Sequence, residues 1–203
     1  MQERIEFARK GYNLHLQQLF DKISFLLAKK EHIVAAIDGK SGAGKSSLAK
    51  LLTETFSCDV ISMDHFFLRP AQRTAERLAQ PGGNIDFERF GEEVLKPLKS
   101  GEPFIYRPYD CKTGNLGKPL NVSPNPLVVI EGVYSMHPIF TEAFGAYDLS
   151  VFLDIDSDSQ RRRLYERNPD MLERFISEWI PMENMYFKHF RIPEKCDLVF
   201  DCE

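Results

Sequence analysis

Long apolar runs are missing from this chain. No stretch approaches the roughly 18 uninterrupted apolar residues that crossing a bilayer takes, so a membrane-spanning protein is not expected. A surplus of positive charge is missing too. With 26 Lys and Arg against 30 Asp and Glu the formal net charge is −4, which argues against a nucleic-acid binder, whose affinity rests on a basic face that neutralises phosphates. Any handling of phosphate must be local. Cysteine is sparse: Cys58, Cys111, Cys196 and Cys202 stand apart with no CxxC, and the five histidines are dispersed, so neither a disulfide framework nor a zinc site is expected. The N-terminus opens Met1-Gln2-Glu3-Arg4 and continues with charges among its apolar residues, so it lacks the uninterrupted apolar run of a secretory signal and a cytoplasmic protein is expected. Internal repeats and low-complexity tracts are absent as well.

What is present fits one α/β domain, since 203 residues are enough for one well-packed core and short for two. Tyr12, Leu16, Leu19, Ile23 and Leu26 recur at helical spacing, so residues 1–30 are expected to hold an amphipathic helix packed on that core. The run Ile33-Val34-Ala35-Ala36-Ile37 reads as a strand buried on both faces, and the segment from Ser46 to Phe56 as a helix with Leu48, Leu51 and Leu52 inward. Further strands are expected at Val60–Ser62, Leu127–Ile130, Leu149–Leu153 and Leu198–Phe200. Ser157 with Gln160 forms a candidate capping box for a helix running to Arg167, and Pro169 breaks the chain before a helix carrying Phe175, Trp179 and Met182. Strands alternating with helices predict an open parallel sheet of about five strands, covered on both faces. Residues 31–203 form that domain. Within it, residues 70–126 loosen into Pro- and Gly-containing turns around a helix near Glu88–Leu98 and read as an insertion.

The chemistry enters at Gly39-Lys40-Ser41-Gly42-Ala43-Gly44-Lys45-Ser46, which satisfies GxxxxGK[ST] between a predicted strand and a predicted helix. Glycines let successive backbone amides and the helix N-terminus point at phosphate oxygens. Residues 39–47, through Ser47, are the expected nucleotide contacts. Lys45 is expected to bridge the β- and γ-phosphates and Ser46 to ligate Mg²⁺, with ATP as the nucleotide; Lys40 has no required role and reads as a solvated charge. An Asn-Lys-x-Asp motif and a following Asp-x-x-Gly are both missing, which excludes a GTPase switch.

A phosphate loop alone says only that a nucleoside triphosphate binds; the reaction depends on what else lies at the carboxyl ends of the strands. Asp64 follows one predicted strand, flanked by large apolar residues, and is the candidate general base, with His65 left to packing. Glu131 closes another and is the candidate partner of the metal. Arg161, Arg162, Arg163 and Arg167 share the helix after Ser157, with Arg163 and Arg167 one turn apart on one face, placed to clamp a transferring phosphoryl group. Residues 157–175 therefore read as a lid. Arg73 and Arg77, one helical turn apart in the insertion, could hold an anionic acceptor.

Taken in order, the phosphate loop, Asp64-His65-Phe66-Phe67, Gly83-Asn84-Ile85-Asp86, Tyr109-Asp110, Glu131-Gly132 and the arginine helix resemble the uridine kinases, over about Ile33 to Val199. That group also includes phosphoribulokinases and nicotinamide riboside kinases. The resemblance implies a P-loop NTPase fold and transfer of the γ-phosphate of ATP, with Mg²⁺, to a hydroxyl of a nucleoside-like small molecule. It implies that Asp64 activates the hydroxyl, Asp86 holds ribose hydroxyls, Tyr109 lines the nucleoside pocket, Glu131 serves the metal, and Arg163 and Arg167 belong to the lid. Where uridine kinases follow the Tyr-Asp pair with Phe and then His and Arg, this chain has Cys111, Gly114 and Leu116, so uridine is expected to be a poor acceptor. A non-nucleoside alcohol, a sugar phosphate, or a nucleotide-binding regulator without catalysis are the alternatives. The sequence is compatible with a homo-oligomer.

Overall fold

The uniformly apolar runs call for strands covered on both sides, and the fold supplies that cover. A computed structural model describes residues 12–145 and 147–202. The strands are β1 (Ile33–Gly39), β2 (Cys58–Ser62), β3 (Phe104–Tyr106), β4 (Tyr109–Asp110), β5 (Asn115–Leu116), β6 (Leu120–Val122), β7 (Leu127–Glu131), β8 (Leu149–Asp154) and β9 (Leu198–Asp201). The longer helices are α1 (Tyr12–Leu27), α2 (Lys45–Thr55), α3 (Pro138–Phe144), α4 (Ser157–Arg167) and α5 (Ile180–Phe190). Five strands make one wholly parallel sheet in the order β2-β7-β1-β8-β9. The expected architecture is thus realised, four strands running one or two residues further than expected and β2 beginning two residues earlier, at Cys58.

Alternation along each strand divides the core in two. Ile33, Ala35 and Ile37 of β1 join Leu127, Val129, Leu149, Val151 and Leu153 against Leu19 and Ile23 of α1 and Leu48 and Leu52 of α2. Ala36, Val128, Ile130 and Phe152 face the other way, toward Phe66, Phe90, Phe140, Tyr186 and Ile192. Truncating a side chain buried as fully as Leu48 to Ala costs about 2–5 kcal/mol. The amphipathic helix expected over residues 1–30 is present from Tyr12 with Leu19 and Ile23 innermost; residues 1–11 lie outside the described residues.

Residues 70–126 are more ordered than their turn-rich sequence suggests. Two antiparallel pairs, β3 with β6 and β4 with β5, follow a continuous helical run of Phe87–Phe90, Gly91–Leu95 and Lys96–Ser100. Its middle stretch has the wider π geometry and ends just before Lys96-Pro97. The stretch Phe175–Trp179 is also π and ends just before Ile180-Pro181. Proline lacks the amide for an i→i−4 bond and its ring crowds that carbonyl; a widened turn lets the helix run on past it.

The cap of α4 differs from expectation. Asp156, not Ser157, is the N-cap, accepting from the amides of Asp158 and Ser159 at 2.9 Å each. A carboxylate outcompetes a hydroxyl there because it also opposes the helix dipole. Gln160, freed from capping, donates to the carbonyl of Ser41 at 2.9 Å and so ties α4 to the phosphate loop.

Candidate active site

Loop and helix form here because the chain must turn sharply out of β1. Gly39 has φ +139°, and a Cβ there would stand 2.2 Å from the carbonyl oxygen of Leu153. Only glycine lets β1 end so close to β8. Gly44, at φ +102°, opens α2, whose first-turn amides receive no side-chain cap. The Lys45 ammonium is buried and donates to the carbonyls of Gly39 (2.8 Å) and Lys40 (3.0 Å). Ser46 and Ser47 lie exposed on the first turn of α2. Lys40, expected to be solvated, is 2.6 Å from an Asp154 carboxylate oxygen and donates to the carbonyl of Ile155. The end of β8 offers that side chain an anion and a carbonyl, which outweighs free hydration.

Strand register assembles the carboxylates. Glu131, the last residue of β7, lies level with Ile37 of β1 and Ser62 of β2. The Ser46 hydroxyl donates to Glu131 Oε2 at 3.3 Å. Burial raises the pKa of Glu131, and Asp64 nearby raises it further, while the Ser62 hydroxyl and Lys45 oppose both. Asp64 is exposed in the turn Met63–Phe66 that follows β2. His65 contacts the Tyr106 hydroxyl at 3.0 Å, and burial lowers its pKa.

Two buried carboxylates were not singled out in the sequence. Asp38, fully buried, accepts from the amides of Gly39 (2.7 Å), Tyr134 (3.2 Å) and Met136 (3.0 Å) and from the Tyr186 hydroxyl (2.8 Å). It braces the start of the loop against the turn after β7 and against α5. Desolvation pushes its pKa up to about 6 despite those donors. The available signal was a charge closing an otherwise apolar strand. Glu183 on α5 accepts from both the amide and the hydroxyl of Ser41, and burial raises its pKa. Nothing local in the sequence marks it, because it reaches the loop only through the tertiary fold.

The two arginines expected to form a clamp separate. Arg163 donates to the carbonyl of Gly42 at 3.4 Å, at the loop itself. Arg167 is exposed, with its guanidinium 5.7 Å from the centre of the Phe175 ring. Arg161 and Arg162 are exposed.

On the acceptor side, Asp86 caps the helix beginning at Phe87 through the amide of Arg89 (3.1 Å) and accepts from Gln72 Nε2 (2.9 Å). The guanidinium groups of Arg69 and Arg89 stand 3.8 and 3.7 Å from the same carboxylate. Tyr109 is buried, its hydroxyl accepting from Arg73 at 3.3 Å. Arg77 pairs with both oxygens of Glu88 at 3.0 Å and donates to the carbonyls of Gly83 and Ile85. A cleft of about 640 Å³ opens beside Asp86, bordered by Arg69, Arg77, Arg89, Glu88 and Leu116. Cys111, on the β4–β5 hairpin, lies within electrostatic reach of Asp64, Arg73 and Arg174.

Residues 34–175 match the sequence model of the phosphoribulokinase / uridine kinase family. A phosphoribulokinase of Synechocystis sp. is 33% identical over 148 residues, covering 70% of this chain; the chain spans only 43% of that relative's length. A uridine kinase of Geobacillus sp. is 25% identical over 173 residues, covering 77% of this chain and 81% of the relative. The solved structure of a possible uridine kinase from Bacillus stearothermophilus superposes with a TM-score of 0.64 at 24% identity, over 91% of this chain and all of that one, and shares the fold. A glycine loop between β1 and α2, a carboxylate closing β7 and an arginine helix after β8 all fall within the matched span, and the chain belongs to the phosphoribulokinase / uridine kinase family.

Proposed function

We propose that the chain is a cytoplasmic ATP- and Mg²⁺-dependent kinase that transfers the γ-phosphate to a hydroxyl of a small, nucleoside-like acceptor. The observation that carries this reading is the meeting of Lys45, the Ser46–Glu131 pair and the exposed Asp64 at the carboxyl ends of β1, β7 and β2. The donor set suits the metal, since Mg²⁺ takes hard oxygen ligands from one or two side chains, water and phosphates, and Ser46 and Glu131 offer such oxygens side by side. Bound there, the ion would neutralise charge between the phosphates. Residues 31–203 act as the kinase domain, with the helix Tyr12–Leu27 packed on it, residues 70–126 as the acceptor insertion and residues 157–175 as the lid.

In this reading the loop amides and Lys45 hold the triphosphate, with Gly39, Lys40, Ser41, Gly42, Ala43, Gly44, Ser46 and Ser47 around it. Asp64 takes the proton of the acceptor hydroxyl as its oxygen attacks the γ-phosphorus and the bond to the bridging oxygen of ADP breaks. Arg163 and Arg167 answer the charge that spreads over the transferring group. Asp86 and Tyr109 border the acceptor.

A second reading, an anionic acceptor such as a sugar phosphate, is favoured by Arg69, whose side chain is 48% exposed beside the cleft. Arg77 contributes less, since Glu88 already neutralises it.

The test is an acceptor screen with ATP and Mg²⁺ over nucleosides, ribosylated vitamins and sugar phosphates, scored by acceptor-dependent ADP release. At least one hydroxylated acceptor should stimulate release, with uridine poor, because Cys111, Gly114 and Leu116 offer few groups to read a pyrimidine. A uridine kcat/KM above about 10⁴ M⁻¹s⁻¹ would refute that selectivity. ATP binding with no stimulation by any acceptor would favour a nucleotide-binding regulator.

A further inference from the structure

Glu183 is a carboxylate placed where a phosphate chemistry asks for donors. It is 4% exposed, accepts from the amide and hydroxyl of Ser41, and lies within electrostatic reach of Lys45 and Asp64. A triphosphate seated on the loop brings its own anionic oxygens to this donor-lined space, where they and the Glu183 carboxylate compete for the same few donors and repel each other. One of them must yield.

The helix that carries Glu183 is not isolated. It continues without a break from Leu172–Arg174 and the π stretch Phe175–Trp179. Trp179, one turn before Glu183, stacks edge-on against Phe175 at 4.5 Å and lies 4.9 Å from the Arg174 guanidinium. Phe175 in turn lies beneath Arg167 of α4. A continuous helix and these packed rings thus join Glu183 to the arginine segment.

We propose that Glu183 is a positioning residue of the phosphate loop, the internal anion that a nucleotide's terminal phosphate displaces from Ser41, and that this exchange shifts α5 together with the arginine segment joined to it. This rests on the reading of the loop as a triphosphate site. A purely structural Glu183 would support the loop, and its loss would weaken binding; a displaced anion competes with phosphate, and its loss strengthens binding. The sign separates the two.

The experiment measures binding of ATP and of inorganic tripolyphosphate, each with Mg²⁺, to the full chain by calorimetry, and follows the emission of Trp179, the only tryptophan. Glu183→Gln keeps the shape and removes the charge. It should bind both ligands roughly tenfold more tightly. Wild-type Trp179 emission should change on adding tripolyphosphate, and Glu183→Gln should show part of that change before any ligand is added. Equal or weaker binding by Glu183→Gln, with its melting temperature unchanged, overturns the proposal. Tighter binding with a silent Trp179 overturns the link to the arginine segment. No triphosphate binding by the wild type in calorimetry overturns the nucleotide reading itself and this inference with it.

Discussion

Beside the phosphate loop the buried Lys45 and Asp38 are answered mainly by backbone, whereas in residues 70–126 the charged side chains pair with one another as well as with backbone carbonyls. Lys45 rests on two carbonyls and Arg163 on a third, and Asp38 is held by three amides and a phenol. In the insertion Arg77 is matched with Glu88, Arg89 with Glu93, and Asp86 with Gln72, Arg69 and Arg89. Backbone partners come from the fold and do not depend on which acceptor is used. Paired side chains can be exchanged, so in the proposed reading acceptor choice rests with the groups that pairing leaves over.

The largest effect that would test this contrast is at Lys45. Lys45→Ala should lower turnover roughly 10³–10⁵-fold with every acceptor, the range seen for cations on a transferring phosphoryl group; retention of a tenth of wild-type turnover in a coupled ADP assay would break the assignment. Asp64→Asn should lower turnover by roughly 10²–10⁴ while ATP affinity stays within a few-fold. A collapse of ATP affinity with turnover per bound ATP unchanged would make Asp64 a metal or structural residue instead.

Asp38 tests the backbone-held side of the contrast, the brace beneath the phosphate loop. Asp38→Asn turns an amide group toward buried donors and should cost about 1–3 kcal/mol of stability, read from the urea midpoint. Its carboxyl holds a proton up to about pH 6 in the folded chain against 3.8 as the ordinary value. Between those values the folded state binds the extra proton, so the contribution of Asp38 to stability falls as pH rises from about 4 to about 6 and is level above. The wild type should lose stability relative to Asp38→Asn across that window; a parallel pair of profiles would show that the carboxyl ionises as it does unfolded.

The smallest effect is at Glu88. Its side chain is 68% exposed, so Glu88→Gln should cost less than about 1 kcal/mol, yet it releases Arg77 beside the cleft. The ratio of kcat/KM for an anionic over a neutral acceptor should rise, and an unchanged ratio would separate Arg77 from acceptor choice.

The sheet was legible because its strands are covered on both faces and read as plain apolar runs, and the phosphate loop because backbone approach dictates glycine at fixed spacing. Glu131 and Asp64 were legible as charges that end such runs. Glu183 and Tyr186 were not, since α5 meets the loop only after the whole sheet has formed. The cap of α4 was misplaced by one residue because two neighbouring residues both carry capping oxygens, and only the fold shows that Gln160 is needed at Ser41. Arg163 and Arg167 share a helix, but the approach of α4 brings only the first to the loop.

The all-parallel sheet also dictates an order of assembly. Parallel neighbours cannot be joined by a hairpin, and here Ile33 must find Leu127, and Cys58 the same residue, across the whole insertion. The loop-closure entropy of such distant partners is spent before any strand contact repays it, which sets folding of the sheet in the slow regime of roughly milliseconds to seconds. The β3–β6 and β4–β5 pairs join segments close in sequence and can form early. The central strand β1 gains both neighbours only when β7 and β8 dock, so the glycine loop at its end takes shape late, together with the packing of Phe90 and Val94 of the insertion onto the same sheet.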